Sequence, residues 1–137
     1  AAIHGYCIGS GVEIAMLCDL RIAAEGTVFA LPEVHLGMIP AAGGTQTLPR
    51  SIGRSKALDM LLTGRRLDAR EALSLRLLTR LAPQHSLINE GFSLALQLAG
   101  LDPEFASSAK RCLLLGANLP LNQALAMEAR TAASALA

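Results

Sequence analysis

Two carboxylates stand in settings that could do acid–base chemistry. Glu13 closes the run Gly9-Ser10-Gly11-Val12-Glu13. Glycines let a backbone come close to a ligand, and a helix N-terminus offers N–H groups with no partner inside the helix. Such donors can stabilise a developing oxyanion, and Glu13 in the first turn would face the same space. The run also fits a tight turn followed by a Glu that the helix dipole favours. Glu33 lies in Leu31-Pro32-Glu33-Val34, one carboxyl group in an apolar stretch just after a Pro that ends a strand. Apolar surroundings disfavour the charged form of a carboxyl group, which suits it to acid or base work near neutral pH. A solvated turn Glu is the plainer alternative.

Other motifs carry less. Gly37 to Thr45 holds three glycines and a Pro, and could cradle a phosphate or lay backbone along a substrate. No Lys follows Gly44, so it is not a P-loop, and Ile14 breaks a dinucleotide-binding glycine pattern. A structural turn is the default there. His4, His35 and His85 are far apart and lack metal-ligand spacing, so no metal site is expected. Cys7, Cys18 and Cys112 form no close pair, and their odd number does not suggest a disulfide framework. A reducing compartment is the simplest reading.

The elements that must place these residues divide the chain. Ala1 to His4 could be a strand, and Gly5 to Gly11 is turn-rich. Val12 to Cys18 is apolar at helical density behind a Gly-Ser-Gly start. Leu20 to Ala24 and Thr27 to Leu31 read as short strands around Glu25-Gly26, and Met38 to Thr45 as a loop. From Gln46 onward the chain turns helical. Asp68-Ala69-Arg70-Glu71 resembles a capping box, and Asp102-Pro103-Glu104 supplies an N-cap, a Pro in the first turn and an acid. Ile88, Phe92, Ala95 and Ala99 share one helical face, as do Phe105, Ala109 and Cys112. Gly116 marks a stop, and a last helix follows Pro120. Strands followed by helices suggest an α/β core with a helical C-terminal layer.

Composition narrows the function classes. The 137 residues fit one compact domain; 52% are apolar and 17% charged, too apolar for a disordered chain. Mean hydropathy is +0.42, which predicts apolar surface facing a partner or another segment. A net charge of +1 and 3% aromatic residues give no support to nucleic-acid binding. The longest apolar runs, such as Ile14 to Cys18, fall far short of the roughly 20 residues of a membrane span. The chain begins at Ala1 inside an apolar segment and reads as a piece of a longer protein.

The stretch HGYCIGSGVEIAMLCDLRIAAE, followed by FALPEVHLGMIPAAGGTQTLPRSIGRSKALDMLLTGRRLDAREAL, is similar to the crotonase superfamily signature, and most like its enoyl-CoA hydratases. The resemblance covers nearly the whole chain. It implies an α/β fold: 1–65 as the C-terminal part of a ββα spiral core, and 66–137 as a helical region for trimerisation, trimers often pairing into hexamers. It implies water addition across the double bond of a 2-enoyl-CoA thioester, with no cofactor beyond the coenzyme A of the substrate. The family's two catalytic glutamates fall on Glu13 and Glu33. One of its two oxyanion-holding N–H groups falls on Ser10, where many relatives have Gly; the other lies upstream of Ala1. Gly9, Gly11 and Ala41 would line the substrate site, Ala41 at a position that is often Gly. Arg76 replaces a family Gly at a helix end where left-handed backbone is expected, at a strain of roughly 1 kcal/mol. The resemblance stops at Ala137, before the family's final helical segment. An enoyl-CoA isomerase working through Glu33 alone is the nearest alternative, and a non-catalytic assembly subunit on this fold the next. A bacterial member would be cytoplasmic, a eukaryotic one mitochondrial or peroxisomal.

Overall fold

The computed structural model describes residues 1–135, which form two compact units, Ala1–Phe92 and the residues from Ser93 on. The first unit winds chain between two small sheets. Strand β1 (Ala2–Ile3) enters one sheet and β2 (Tyr6–Ile8) the other, before helix α1 (Ser10–Leu17). The next turn repeats the plan: β3 (Ile22–Ala24) lies parallel to β1, with Ala2 beside Ile22, and β4 (Val28–Ala30) lies parallel to β2, with Cys7 beside Phe29. Parallel neighbours need a crossover, and α1 supplies it. Each winding thus gives one strand to each sheet and then a helix.

The winding continues through a 3-10 turn (Glu33–Leu36), α2 (Gly44–Ile52) and α3 (Arg54–Thr63). Strand β5 (Leu67–Asp68) then pairs antiparallel to β4, α4 (Ala69–Ser74) follows, and β6 (Arg80–Ala82) pairs parallel to β3. The sheet orders are β1-β3-β6 and β2-β4-β5. Ile22, Ala23 and Ala24 are all buried, as expected of a parallel strand covered on both faces. Around them Phe29, Leu31, Leu48, Met60, Leu67 and Leu77 form the core.

Helix α5 (Leu87–Ala99) spans the boundary between the units; α6 (Pro103–Gly116) and α7 (Leu121–Ala135) complete the second. Helices α6 and α7 pack on each other and bury none of their residues fully. Phe105, Ala109 and Cys112 do share a face, and with Thr131 and Ala132 they line an apolar groove of about 620 Å³. The expected apolar face of α5 turns outward instead: Ile88 and Phe92 are exposed, while Leu87 and Leu94 are buried.

Local capping matches the sequence signals. The Asp68 carboxylate accepts the Glu71 N–H at 2.8 Å, but the Glu71 side chain pairs with Arg65 rather than closing the reciprocal box. Asp102 accepts the Glu104 and Phe105 N–H groups at 2.8 and 3.3 Å. Arg76 takes the left-handed conformation, φ 65°, just past α4. The bonds around it explain why: the Leu77 N–H reaches back to the Ala72 carbonyl at 2.9 Å, and the Ser51 hydroxyl donates to the Arg76 carbonyl at 3.1 Å.

Three strands depart from the sequence expectation. Strand β2 lies inside the stretch read as turns, and β5 and β6 lie where only helix was expected. Helix α2 starts at Gly44, within the segment read as loop.

Candidate active site

Helix α1 starts without a side-chain cap. Its N-cap residue Gly9 has φ 59° and ψ −125°, a conformation that non-Gly residues rarely adopt. The Gly9 N–H donates to the Ala30 carbonyl at 2.9 Å, tying the end of β2 to β4. The Gly9 carbonyl accepts the Val12 and Glu13 N–H groups, which begins the helix. The Ser10 and Gly11 N–H groups have no backbone acceptor among the described residues, as the opening of an uncapped helix requires. Ser10 is exposed and outside any strand ladder.

One turn along, Glu13 is 2% exposed. A buried carboxylate must be hydrogen-bonded. Its Oε1 accepts the N–H of Ala42 and the N–H of Gly44, each at 2.8 Å. Gly43 between them has φ 103°, the backbone turn that brings both donors to one oxygen. Gly44 is also sterically required: a Cβ there would lie 3.0 Å from Glu13 Oε1, from Leu31 and from Pro40.

Glu33 opens the 3-10 turn behind Pro32 and is half-buried. Its Oε1 comes so near Gly9 that a Cβ on that glycine would stand 2.7 Å away. Its Oε2 is buried and has no hydrogen-bond partner among the described residues. Both carboxyl groups therefore adjoin the first turn of α1, Glu13 as part of it and Glu33 against Gly9. The arrangement offers one fixed carboxylate, one carboxyl group with a free oxygen, and free N–H donors at the helix start.

Of the other residues singled out, Gly11 is not sterically required, since a Cβ there would meet the Cys7 thiol at an ordinary 3.7 Å, and Ala41 is exposed just before the loop that grips Glu13. Ala42, Gly43 and Gly44, which build that grip, carry no side-chain chemistry; only the Gly-Gly pair hints at them. Burial pushes the Cys7 thiol up to about 11, which keeps it protonated and unreactive near neutral pH. Among the described residues no group of three His, Cys, Asp or Glu side chains could hold a metal ion.

The family model of enoyl-CoA hydratase/isomerase matches residues 1–137. A "probable enoyl-CoA hydratase" of Mycobacterium bovis is 39% identical over 137 residues, all of this chain and 53% of that protein. An enoyl-CoA hydratase subunit structure from Geobacillus kaustophilus superposes with a TM-score of 0.96 at 35% identity, over 99% of this chain and 53% of its own. A Thermobifida fusca protein assigned as an enoyl-CoA hydratase and solved with CoA gives 0.96 at 32% identity, again over 99% and 53%. The chain spans about half the length of these relatives. The winding of two strands and a helix described above is the α/β architecture of those structures, and the chain belongs to the enoyl-CoA hydratase/isomerase family.

Proposed function

We propose that this chain carries the acid–base centre of a 2-enoyl-CoA hydratase. The observation that supports it best is the placement of two glutamates at the start of one helix with different constraints. Glu13 Oε1 is committed to two N–H donors, so any proton this group takes must go to Oε2. In this reading Glu13 is the base that removes a proton from the attacking water. Glu33 Oε2 lacks a partner among the described residues, and it is the atom that delivers a proton to C2 of the substrate. The C3–O bond forms, the C2=C3 double bond becomes single, and the transient charge rests on the thioester oxygen. The Ser10 N–H is the donor for that oxygen in this chain; one such donor typically contributes about 10²–10³ in rate. Relatives solved with CoA support an acyl-CoA thioester as the ligand. No further cofactor takes part, and the assembly is a homotrimer or a pair of trimers.

An isomerase needs only one carboxyl group to move a proton along the acyl chain, and Glu33, with its free oxygen, is the residue that could serve. The two readings part on a labelled-water experiment with the full-length protein. Crotonyl-CoA in ¹⁸O-labelled water should yield 3-hydroxybutyryl-CoA with one ¹⁸O at C3. Double-bond migration without oxygen uptake, using a 3-enoyl-CoA, would replace the hydratase with the isomerase.

A further inference from the structure

We propose that His35 is the positioning residue for Glu33: its ring, seated on Gly64 at the end of α3, fixes the 3-10 turn that carries the Glu33 carboxyl group. The two glutamates are held very differently. Glu13 has two hydrogen bonds of its own, whereas Glu33 Oε2 has none among the described residues. The place of the Glu33 carboxyl group must therefore come from the turn beneath it. That turn is short, Glu33–Leu36, and closes with the Gly37 N–H on Val34 and the Met38 N–H on Glu33. The side chains from Val34 to Leu36 are all exposed, Val34 41%, Leu36 67% and His35 as well, so what ties the turn down is the one edge of the His35 ring that lies against the end of α3. The turn packs against α3, and His35 is the side chain that meets the end of that helix.

Gly64 makes room for it. The helix ends there with φ 62°, which already favours glycine. A Cβ at Gly64 would lie 2.7 Å from His35 Cδ2 and 3.0 Å from Nε2, so the ring edge occupies the space that any other residue would fill. Glu33 stands two residues before His35, with its other carboxylate oxygen already tight against Gly9. A small slide of the turn would move the carboxyl group relative to the α1 start. The flat ring does this work rather than its charge.

The inference rests on Glu33 acting in hydration, so the test carries two readouts. In the full-length protein, His35→Ala should lower kcat for crotonyl-CoA by about 10- to 10²-fold and leave KM within about twofold, as misplacement of a catalytic group does. His35→Phe keeps a flat ring without a titrating nitrogen; it should restore kcat to within about threefold, with the native pH profile. A kcat in His35→Ala within about twofold of native, or a Phe variant as slow as the Ala variant, would overturn the proposal. Should the native protein not hydrate enoyl-CoA at all, the hydratase reading fails by itself. The Glu33 carboxyl carbon, followed by ¹³C NMR, then decides: its shift must move in His35→Ala and return in His35→Phe. An unmoved signal in His35→Ala refutes the positioning role.

Discussion

Glu13 and Glu33 differ in what surrounds them more than in what they are. Glu13 is buried with both of its bonds on one oxygen, and this makes glutamine a clean replacement: the amide oxygen can accept the Ala42 and Gly44 N–H groups as Oε1 does. Alanine would leave those two donors facing a void, at a cost of about 1–3 kcal/mol for each group left unsatisfied. Gly9 is needed twice, for its positive φ and for its closeness to Glu33. Gly9→Ala should therefore cost at least about 1 kcal/mol in backbone strain and displace Glu33, lowering activity more than stability. Urea unfolding and kcat measured side by side check this; native kcat in the variant would contradict it. Cys7 gives a pH test. Its thiol ionises at about 11 when folded, above the value of 9.0 for an unburied cysteine. Burial favours the neutral form, so its contribution to stability is complete below pH 9 and is lost as pH rises toward 11. Cys7→Ala should flatten stability over that window; an identical loss in both proteins would assign it elsewhere.

Elements of this fold were legible in the sequence where a local signal carries them. The Asp68 and Asp102 caps, the Pro103 start and the Gly116 stop all rest on short-range hydrogen bonds or fixed dihedrals, and all are present. Arg76 was legible in another way: the residue itself carries no left-handed signal, and only the resemblance, which puts a Gly there, pointed to the φ of 65° that the structure shows. Arg76→Gly should raise stability by up to about 0.5 kcal/mol, the strain relieved less the added freedom of the unfolded chain, read as a slightly higher Tm. A lowered Tm would mean that the Arg side chain contributes more than the strain costs. Strands β2, β5 and β6 were not legible, because β2 lies among the turn glycines from Gly5 to Gly11 and β5 and β6 adjoin helix-forming sequence, so that only pairing with the neighbouring strands holds them extended. The Ala42–Gly44 grip on Glu13 escaped for a similar reason. It is made of backbone, and 31 residues separate Glu13 from Gly44. The two glutamates were visible as carboxyl groups, but only the fold brings Glu33 against Gly9.

At the scale of the whole molecule, the chain spans about half the length of its relatives. Many large apolar residues are exposed, among them Tyr6, Ile14, Leu17, Leu36 and Ile39 in the first unit and Leu113 and Leu121 in the second. Exposed apolar side chains of this kind suit burial by further chain or subunits. On the proposed reading a second oxyanion donor would come from outside this stretch, and losing one such donor typically costs about 10²–10³ in rate. The 137 residues alone should thus turn over crotonyl-CoA at least about 10²-fold more slowly than the full-length protein. Equal rates would show that the site is complete within this chain. The most direct test of the two-carboxylate account is the hydration rate of Glu13→Gln, Glu33→Gln and the double variant in the full-length protein. Each single change should lower kcat by about 10²–10⁴, and the double variant should be scarcely slower than the worse single one, because the proton taken from water and the proton given to C2 belong to one addition that needs both groups. Hydration at near-native rate in Glu13→Gln would contradict the account and leave Glu33 as a lone proton shuttle.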